Sequence, residues 1–182
     1  MDKSDFRKSL RARRKSLSQA DIAQASQQMC ENFIQIPQLA DSKHIALYCP
    51  FAGEINPLAI LNKLTEKCFY LPVVGDNFTM DFRPFADEAD CNLNKYGILE
   101  PKSQHSIDPL ELDLVIVPLV GFDQQRHRLG MGGGYYDRAF ANRTTTPILI
   151  GVAYHWQQID DIQAEPWDVD LDAIVTDKGI IV

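Results

Sequence analysis

Six short segments with strand-like patterns recur along the chain, separated by polar or Pro- and Gly-containing stretches. Each is five to eight residues long, a length typical of strands rather than of helices. They span residues 44–49, 68–74, 79–83, 114–120, 147–154 and 172–176. Five are mostly apolar, as in buried strands. The segment at 79–83 alternates polar and apolar residues before Pro84, which predicts an edge strand.

Helical patterns occupy several of the intervening stretches. Apolar residues share one stripe over residues 2–17, with basic residues around it. Ser18 followed by Asp21 predicts an N-cap and capping box for a second helix that ends near residue 33. An Asn-Pro pair opens a third predicted helix over 56–64, and a fourth begins at residue 135.

The alternation of strands and helices predicts a mainly parallel sheet covered on both faces. We expect one three-layer α/β/α domain over residues 1–182, Rossmann-like and related to the sugar-phosphate isomerase and CoA-transferase-like folds. A basic helix precedes the sheet. In such sheets ligands bind beyond the carboxyl ends of the strands, so chemistry is expected in the loops after residues 49, 120 and 154.

The amino-acid composition is that of a globular protein and not of a membrane or secreted one. The 182 residues are 45% hydrophobic and 24% charged, as in ordinary globular domains. No apolar run approaches the roughly 18 residues of a membrane span, and no apolar stretch follows the N-terminal charges as in a secretory signal. We therefore expect a cytoplasmic protein without a membrane partner. Four cysteines without a C-x-x-C pair predict reduced structural thiols.

Charge is unevenly distributed along the chain. Residues 1–16 contain seven Lys or Arg and two Asp, a net of +5, whereas the whole chain has −7 and the remainder therefore carries −12. An acidic body argues against a nucleic-acid partner, because duplex affinity comes largely from neutralising many phosphates. Most of the basic arm is interpreted as a solvated helix face, with a small anionic ligand as the functional alternative.

A glycine-rich segment between the strand at 114–120 and the helix at 135–141 is the strongest candidate for chemistry. It reads Arg128-Leu-Gly-Met-Gly-Gly-Gly-Tyr-Tyr-Asp137. Its glycines let the backbone approach a ligand, so that successive amides can hold phosphate oxygens. The helix start adds unpaired N–H groups, and Arg128 adds a forked cation. The segment lacks the usual nucleotide-binding motifs, so a structural glycine bend remains the alternative.

Asp137 extends this hypothesis to a metal ion. A carboxylate one turn into a helix can simply complement the helix dipole. Beside a bound polyphosphate, however, an unpaired aspartate repels the ligand, and Mg²⁺ between the two converts repulsion into attraction. If the loop binds phosphates, Asp137 therefore predicts Mg²⁺.

With these residues the chain resembles the 5-formyltetrahydrofolate cyclo-ligase family, also called methenyltetrahydrofolate synthetases. The resemblance rests mainly on Gly121-Phe-Asp followed, after a short gap, by the segment 128–137. Weaker matches follow in the order of the family: Lys3 with Arg7, Tyr48 with Glu54, Tyr96-Gly-Ile-Leu-Glu-Pro101, and Asp168-Val-Asp-Leu-Asp172.

The resemblance implies an ATP- and Mg²⁺-dependent ring closure of 5-formyltetrahydrofolate, a reduced folate, to 5,10-methenyltetrahydrofolate, with release of ADP and phosphate. ATP would phosphorylate the formyl oxygen to give an iminium phosphate, and the folate N10 would then displace phosphate. Phosphoryl transfer of this kind depends on positioning and charge neutralisation. That agrees with a sequence that offers no convincing Ser-His-Asp or Cys-His arrangement.

The resemblance also implies a role for each matched residue. Lys3 and Arg7 contact the ATP phosphates, Glu54 binds the folate, and Asp137 and Asp172 hold Mg²⁺. The loop residues assigned to ATP are Arg128, Leu129, Gly130, Met131, Gly132, Gly133, Gly134, Tyr135 and Tyr136. Of these, Arg128 and Tyr136 are the catalytic candidates, and Gly133, Tyr135 and Tyr136 also approach the folate.

Two alternatives remain open from the sequence. A sugar-phosphate isomerase or CoA-transferase-like enzyme needs a general base or a glutamate nucleophile, for which Glu54 and Glu100 are the candidates. A non-catalytic nucleotide- or folate-binding protein has no need of a metal-activated phosphate. We expect a monomer, since 182 residues suffice for a stable one.

Overall fold

The computed structural model describes residues 2–94 and 97–182, which form strands, three α-helices and short 3₁₀ helices. The α-helices are α1 (Lys3–Lys15), α2 (Gln19–Phe33) and α3 (Tyr135–Ala139). The strands are β1 (His44–Ala46), β2 (Cys68–Val74), β3 (Met80–Pro84), β4 (Cys91–Leu93), β5 (Leu99–Pro101), β6 (Leu114–Pro118), β7 (Gly121–Phe122), β8 (Arg128–Leu129), β9 (Ile148–Ala153), β10 (Ala173–Thr176) and β11 (Gly179–Ile181). The 3₁₀ helices are Pro37–Leu39, Pro57–Ile60, Asp76–Phe78, Glu88–Asp90, Pro109–Glu111 and His155–Gln157.

Seven of the strands form one mainly parallel sheet in the order β11-β10-β9-β6-β1-β2-β3. The five inner strands are parallel to one another, whereas the edge strands β3 and β11 pair antiparallel with β2 and β10. Two small hairpins, β4–β5 and β7–β8, lie outside this sheet. The predicted α/β class with a mainly parallel sheet is confirmed, and so is the edge position of β3.

Apolar side chains pack on both faces of the sheet. On one face Ile116 belongs to a cluster with Met29 and Phe33 of α2. On the other, Val117 belongs to a cluster with Phe140, just past α3. Neighbouring strand residues point to opposite faces, so a strand buried on both sides is apolar throughout.

The first two helices follow the sequence pattern closely. The Ser18 side chain accepts a hydrogen bond from Asp21 N (3.1 Å), and the Asp21 carboxylate accepts one from Ser18 N (3.2 Å), which completes the predicted capping box. At the end of α1, three basic residues occupy the last turn, where they complement the helix dipole.

Two predicted helices are shorter than expected. Asn56 caps its helix through Leu58 N (2.9 Å), but the helix is only the 3₁₀ turn Pro57–Ile60. It packs against α2, which already covers this face of the sheet. The predicted helix at 135–141 ends at Ala139, because Phe140 leaves the helical conformation with φ −112° and ψ 15°.

Several short strands were not predicted from the sequence. The β7–β8 hairpin and β11 have strands of two or three residues, too short to show alternation. Tyr96 of the matched stretch 96–101 lies outside the described residues. All four cysteines are free thiols, of which Cys30 and Cys91 are buried and Cys68 is exposed. Within the described ranges, the helices are too short or too polar to cross a membrane.

Candidate active site

Two cavities adjoin the glycine-rich loop and share it as a wall. The polar cleft, of about 610 Å³, lies between the loop, α1 and residues 165–169. The apolar cleft, of about 460 Å³, lies between the loop and residues at the ends of β1 and β6. The residues that line both are Met131, Gly133, Gly134, Tyr135 and Tyr136. Among the described residues, these five would separate a ligand in one cleft from a ligand in the other.

Two of the three loops singled out from the sequence reach these cavities. Cys49, Phe51 and Glu54, after β1, line the apolar cleft, and the segment after β6 leads into the glycine-rich loop. Tyr154, after β9, instead donates a hydrogen bond from its hydroxyl to the Gly53 carbonyl (2.9 Å). The third loop thus supports the wall of the apolar cleft from behind.

Glycine is required at two positions of the loop. Gly132 and Gly134 have φ angles of +96° and +64°, in the left-handed region that other residues rarely adopt. Gly134 is the N-cap of α3, which has only five residues. Because helix dipoles contribute only about 0.3–1 kcal/mol to a nearby exposed charge, loop amides and cations must provide most of any attraction for phosphate.

The N-terminal helix lies directly against this loop. Arg7 donates a hydrogen bond from Nε to the Gly130 carbonyl (2.8 Å), and both Lys3 and Arg7 line the polar cleft. Lys3 Nζ is 3.6 Å from Glu165 Oε1 and 3.9 Å from Asp168 Oδ2. The structure therefore brings together the helix cations and the glycine-rich loop, which are more than a hundred residues apart in sequence.

Arg128 and Asp137 form an ion pair within the loop region. Arg128 Nη2 donates to Asp137 Oδ1, and Nη1 donates to the Val169 carbonyl. The same Asp137 oxygen accepts a hydrogen bond from Val169 N (3.1 Å). Arg128, whose side chain is 6% exposed, therefore already neutralises the carboxylate. The electrostatic reason for expecting a metal is weaker than the sequence suggested, because Asp137 is not an unpaired charge.

The chemistry of Asp137 nevertheless fits a magnesium ion. Its hydrogen bonds from the described residues all reach Oδ1, which leaves the Oδ2 lone pairs for a ligand. Within residues 2–94 and 97–182, no three His, Cys, Asp or Glu side chains lie close enough to hold a metal by themselves. Mg²⁺ typically takes one or two carboxylates together with phosphate oxygens and water, so one carboxylate beside a phosphate site is an adequate protein contribution.

Asp172, the second predicted metal ligand, lies elsewhere. Its Oδ2 accepts hydrogen bonds from Arg143 Nη1 (2.7 Å) and Leu149 N (2.7 Å). Asp172 directly precedes β10, and its backbone N donates to the Leu149 carbonyl (2.9 Å), which places it at the amino ends of β9 and β10. It is not among the residues that line the polar cleft. The structure thus does not bring Asp172 to the same cavity as Asp137.

Glu54 is the acidic group of the apolar cleft nearest the end of β1. Its side chain is 13% exposed, and Oε1 lies 3.1 Å from Arg14 Nη1. Oε2 accepts a hydrogen bond from Phe51 N (3.0 Å). Burial raises the pKa of Glu54, while the Arg14 guanidinium acts in the opposite direction. Tyr48, which matches the family beside Glu54, uses its buried hydroxyl to donate to the Ile55 carbonyl (2.8 Å).

The two loop tyrosines both line the two clefts, so the structure does not separate their roles. The ring of Tyr136 stacks with Phe140 at a centroid distance of 6.4 Å, and burial raises the pKa of its phenol. The ring of Tyr135 lies 6.0 Å from that of Phe78. Tyr136 is therefore a neutral hydrogen-bond donor at ordinary pH.

The sequence indicated no role for four residues that lie in or beside the clefts. Glu165, Trp167 and Asp168 form the far wall of the polar cleft, and Trp167 is 69% exposed. A Glu-Pro-Trp-Asp sequence in a loop carries no periodic signal that could have marked it. Arg14 was counted with the solvated basic face, but it is only 2% exposed and pairs with Glu54. The apolar stripe of α1 gave no reason to separate Arg14 from its basic neighbours.

Comparison with known proteins extends the match to nearly the whole chain. The sequence model of the 5-formyltetrahydrofolate cyclo-ligase family matches residues 1–177. A 5-formyltetrahydrofolate cyclo-ligase of Haemophilus influenzae is 37% identical over 174 residues, which cover 91% of this chain and 92% of that protein. The NMR structure of Aquifex aeolicus 5,10-methenyltetrahydrofolate synthetase gives a TM-score of 0.86 at 32% identity, covering 99% of this chain and 92% of that one. The structure of a 5,10-methenyltetrahydrofolate synthetase from Mycoplasma pneumoniae gives 0.77 at 29% identity, covering 97% and 99%.

Proposed function

The chain belongs to the 5-formyltetrahydrofolate cyclo-ligase family and is an enzyme of this ligase class, and we propose that it uses Mg²⁺-ATP to close 5-formyltetrahydrofolate to 5,10-methenyltetrahydrofolate. The observation that best supports the proposal is the loop shared by the two clefts. ATP in the polar cleft and folate in the apolar cleft would meet across residues 133–136. The reaction needs this arrangement, because the terminal phosphate of ATP must reach the formyl oxygen.

We propose that the polar cleft holds ATP. Leu129, Gly130, Met131 and the following glycines line a cavity that Lys3 and Arg7 also line, and their amides would bind the phosphates. Phosphate oxygens would replace Glu165 and Asp168 as partners of Lys3 Nζ. Trp167 offers an exposed ring on the far wall, on which the adenine base can stack.

We propose that the apolar cleft holds the pterin of the folate. Its lining is largely apolar, including Pro72, Val74 and Leu119, as is usual for pockets that bind flat heterocycles. Glu54 places a carboxylate in that lining, and a carboxylate can accept two N–H donors from a pterin edge. Gly133, Tyr135 and Tyr136 complete the wall toward ATP.

The proposed reaction proceeds in two steps. The formyl oxygen attacks the γ-phosphorus of ATP, the bond to ADP breaks, and the formyl carbon becomes part of an iminium phosphate. N10 then forms a bond to that carbon and loses its proton, while the carbon–oxygen bond breaks and phosphate leaves with the former formyl oxygen. The first step moves negative charge, so it depends on fixed cations and donors rather than on a protein nucleophile.

Arg128 and Tyr136 are the proposed catalytic residues because Tyr136 belongs to the shared wall and Arg128 lines the polar cleft near it. The Arg128 guanidinium is held in place by Asp137 and by the Val169 carbonyl, so it is preorganised. Tyr136 keeps its proton and can donate to a phosphate or formyl oxygen. Mg²⁺ bound through Asp137 would neutralise phosphate charge. Asp172 stays a proposed second ligand, for which the chain would have to move away from Arg143 and Leu149.

No observation favours the alternative enzymes. Glu54 is paired with Arg14, and Glu100 accepts hydrogen bonds from Val74 N (3.3 Å) and Asn94 Nδ2 (3.0 Å). Neither carboxylate is therefore a free general base or nucleophile. We further propose that the enzyme acts as a cytoplasmic monomer on a small reduced folate, without nucleic-acid or membrane partners.

A spectrophotometric assay tests the proposed function. Purified protein is mixed with 5-formyltetrahydrofolate, Mg²⁺ and ATP, and the absorbance of the methenyl product is followed. We expect product to form with ATP and not with ADP. A binding protein would take up both ligands without turnover, and the absence of ATP-dependent product would reject the proposal.

A further inference from the structure

Arg14 differs from the other basic residues of the N-terminal arm. It lies in the last turn of α1 and is 2% exposed, whereas Arg13 and Lys15 beside it are exposed. A guanidinium is almost never buried without charged or hydrogen-bonding partners, because its desolvation is costly. Its burial therefore calls for an explanation that a solvated helix face does not give.

The partners of Arg14 come from the loop after β1. Its Nε donates a hydrogen bond to the Ala52 carbonyl (3.1 Å), and Nη1 lies 3.1 Å from Glu54 Oε1. Gly53 has a φ of +79°, and a Cβ there would lie only 2.7 Å from the Arg14 carbonyl oxygen. The loop is thus folded tightly around the end of α1, and glycine is required at 53 for this approach.

Burial disfavours the charged form of Glu54. Tyr48, Tyr136 and Tyr154 all lie near enough for the Glu54 charge to raise the pKa of their phenols, and burial raises the pKa of Glu54 itself. Two groups oppose the effect of burial: Phe51 N, through its hydrogen bond, and more strongly the cation Arg14. Without it, an acid in a mostly apolar cleft would tend to be neutral, and it would then accept N–H donors less well.

We propose that Arg14 is a positioning residue for folate recognition, which holds the Glu54 carboxylate charged and correctly oriented in the apolar cleft. The inference rests on the proposed binding of folate by Glu54. Arg14 does not line the cleft, so it would act on the folate only through Glu54. It adds a folate-related role to α1, whose other end lines the polar cleft.

Calorimetric binding of 5-formyltetrahydrofolate at several pH values tests this inference. The variants are Arg14→Met, Glu54→Gln and the two combined, with Arg14→Lys as the charge-conserving control. We expect Glu54→Gln to weaken binding about tenfold or more, as for loss of a charge-assisted hydrogen bond. Arg14→Met should weaken it by a similar factor near neutral pH, Arg14→Lys should retain most of the affinity, and Arg14→Met should add little in the Glu54→Gln background.

The pH profile separates a positioning role from a purely structural one. Removing Arg14 raises the pKa of Glu54, so the affinity of Arg14→Met should recover as pH rises from about 6 to about 9 and Glu54 ionises. Burial holds the pKa of Tyr154 at about 12 and that of Tyr48 well above its ordinary value, so these phenols stay protonated over that range. The Glu54→Gln variant should show no such recovery.

The outcomes distinguish the two proposals. Unchanged binding in Glu54→Gln would reject the folate role of Glu54 itself. Two results would overturn the role of Arg14. One is weak folate binding in Glu54→Gln together with wild-type affinity in Arg14→Met, and the other is a loss of affinity in Arg14→Met that does not change with pH. Thermal unfolding checks that each variant is folded. If Arg14→Met does not fold, the same binding measurements are made on Arg14→Gln. This variant removes the charge but keeps a donor for the Ala52 carbonyl.

Discussion

At the scale of single residues, the ion pair between Arg128 and Asp137 determines the distribution of charge in the polar cleft. The guanidinium is almost completely buried, and its two terminal nitrogens contact Asp137 and the Val169 carbonyl. Replacing Asp137 removes both the proposed metal ligand and the partner that fixes Arg128. Truncating one member of a buried charge pair is costly, because the remaining charge stays desolvated.

For Asp137→Asn we expect a fall in kcat of about a hundredfold or more, with a much smaller loss of folate affinity. Steady-state rates are measured over a Mg²⁺ titration, and the variant should need more Mg²⁺ for half-maximal rate. Glu165→Gln is a matched control, since it removes a half-exposed carboxylate of the same cleft. Unchanged turnover of Asp137→Asn at limiting Mg²⁺ would show that Asp137 is not a metal ligand.

Trp167 provides a second test at this scale. It is 69% exposed on the wall of the polar cleft, whereas the other tryptophan, Trp156, stacks on Tyr154 with centroids 5.3 Å apart and carries Arg13 over its ring. We expect ATP to quench the tryptophan fluorescence of the wild-type protein. It should not quench that of Trp167→Phe, in which Trp156 is the remaining tryptophan. Trp167→Ala should raise the KM for ATP about fivefold to tenfold, as for loss of base stacking. Quenching that survives in Trp167→Phe would place the adenine elsewhere.

At the scale of elements, α1 is a wall of the site rather than an appended arm. Arg7 holds the loop through the Gly130 carbonyl, and Arg14 holds the loop after β1. The sequence predicted the helix and its basic face, because the apolar stripe and the charges are local features. It could not show which basic residue would be buried, since that depends on where residues 52–54 meet the helix.

A pair of substitutions on α1 tests its contribution to nucleotide binding. Arg7→Ala removes a cleft cation and the hydrogen bond to the loop, so we expect the KM for ATP to rise about tenfold. Lys8→Ala, at an exposed neighbouring position outside the cleft lining, should leave the KM unchanged. If Arg7→Ala and Lys8→Ala lowered the thermal stability equally and had the same KM for ATP, the basic residues of α1 would form only a solvated face.

Strands were easier to predict than the elements between them. The apolar segments at 68–74 and 114–120 correspond to β2 and β6, because a strand buried on both faces has an unbroken apolar sequence. The β7–β8 hairpin escaped prediction, although it carries Arg128, because two-residue strands show no alternation. The helix expected at 56–64 is a single 3₁₀ turn, since α2 already packs over this part of the sheet.

At the scale of the whole molecule, the arrangement of two clefts around one loop follows from the topology. The carboxyl ends of β1 and β6, adjacent in the sheet, bring the Glu54 loop and the glycine-rich loop together. The glycine-rich loop and Asp137 could be proposed from sequence, because their chemistry is local. The far wall at residues 165–168 could not, because only the folded chain brings it opposite Lys3.

The most direct test of the account follows the oxygen of the formyl group. If ATP in the polar cleft phosphorylates the folate across the shared loop, the released phosphate must contain the former formyl oxygen. The enzyme is therefore given 5-formyltetrahydrofolate labelled with ¹⁸O in the formyl group, together with Mg²⁺ and ATP, and the phosphate is analysed by mass spectrometry. We predict one ¹⁸O atom in each phosphate released and none in the ADP. Unlabelled phosphate accompanying methenyl product would contradict transfer to the formyl oxygen, and with it the proposed purpose of the shared loop.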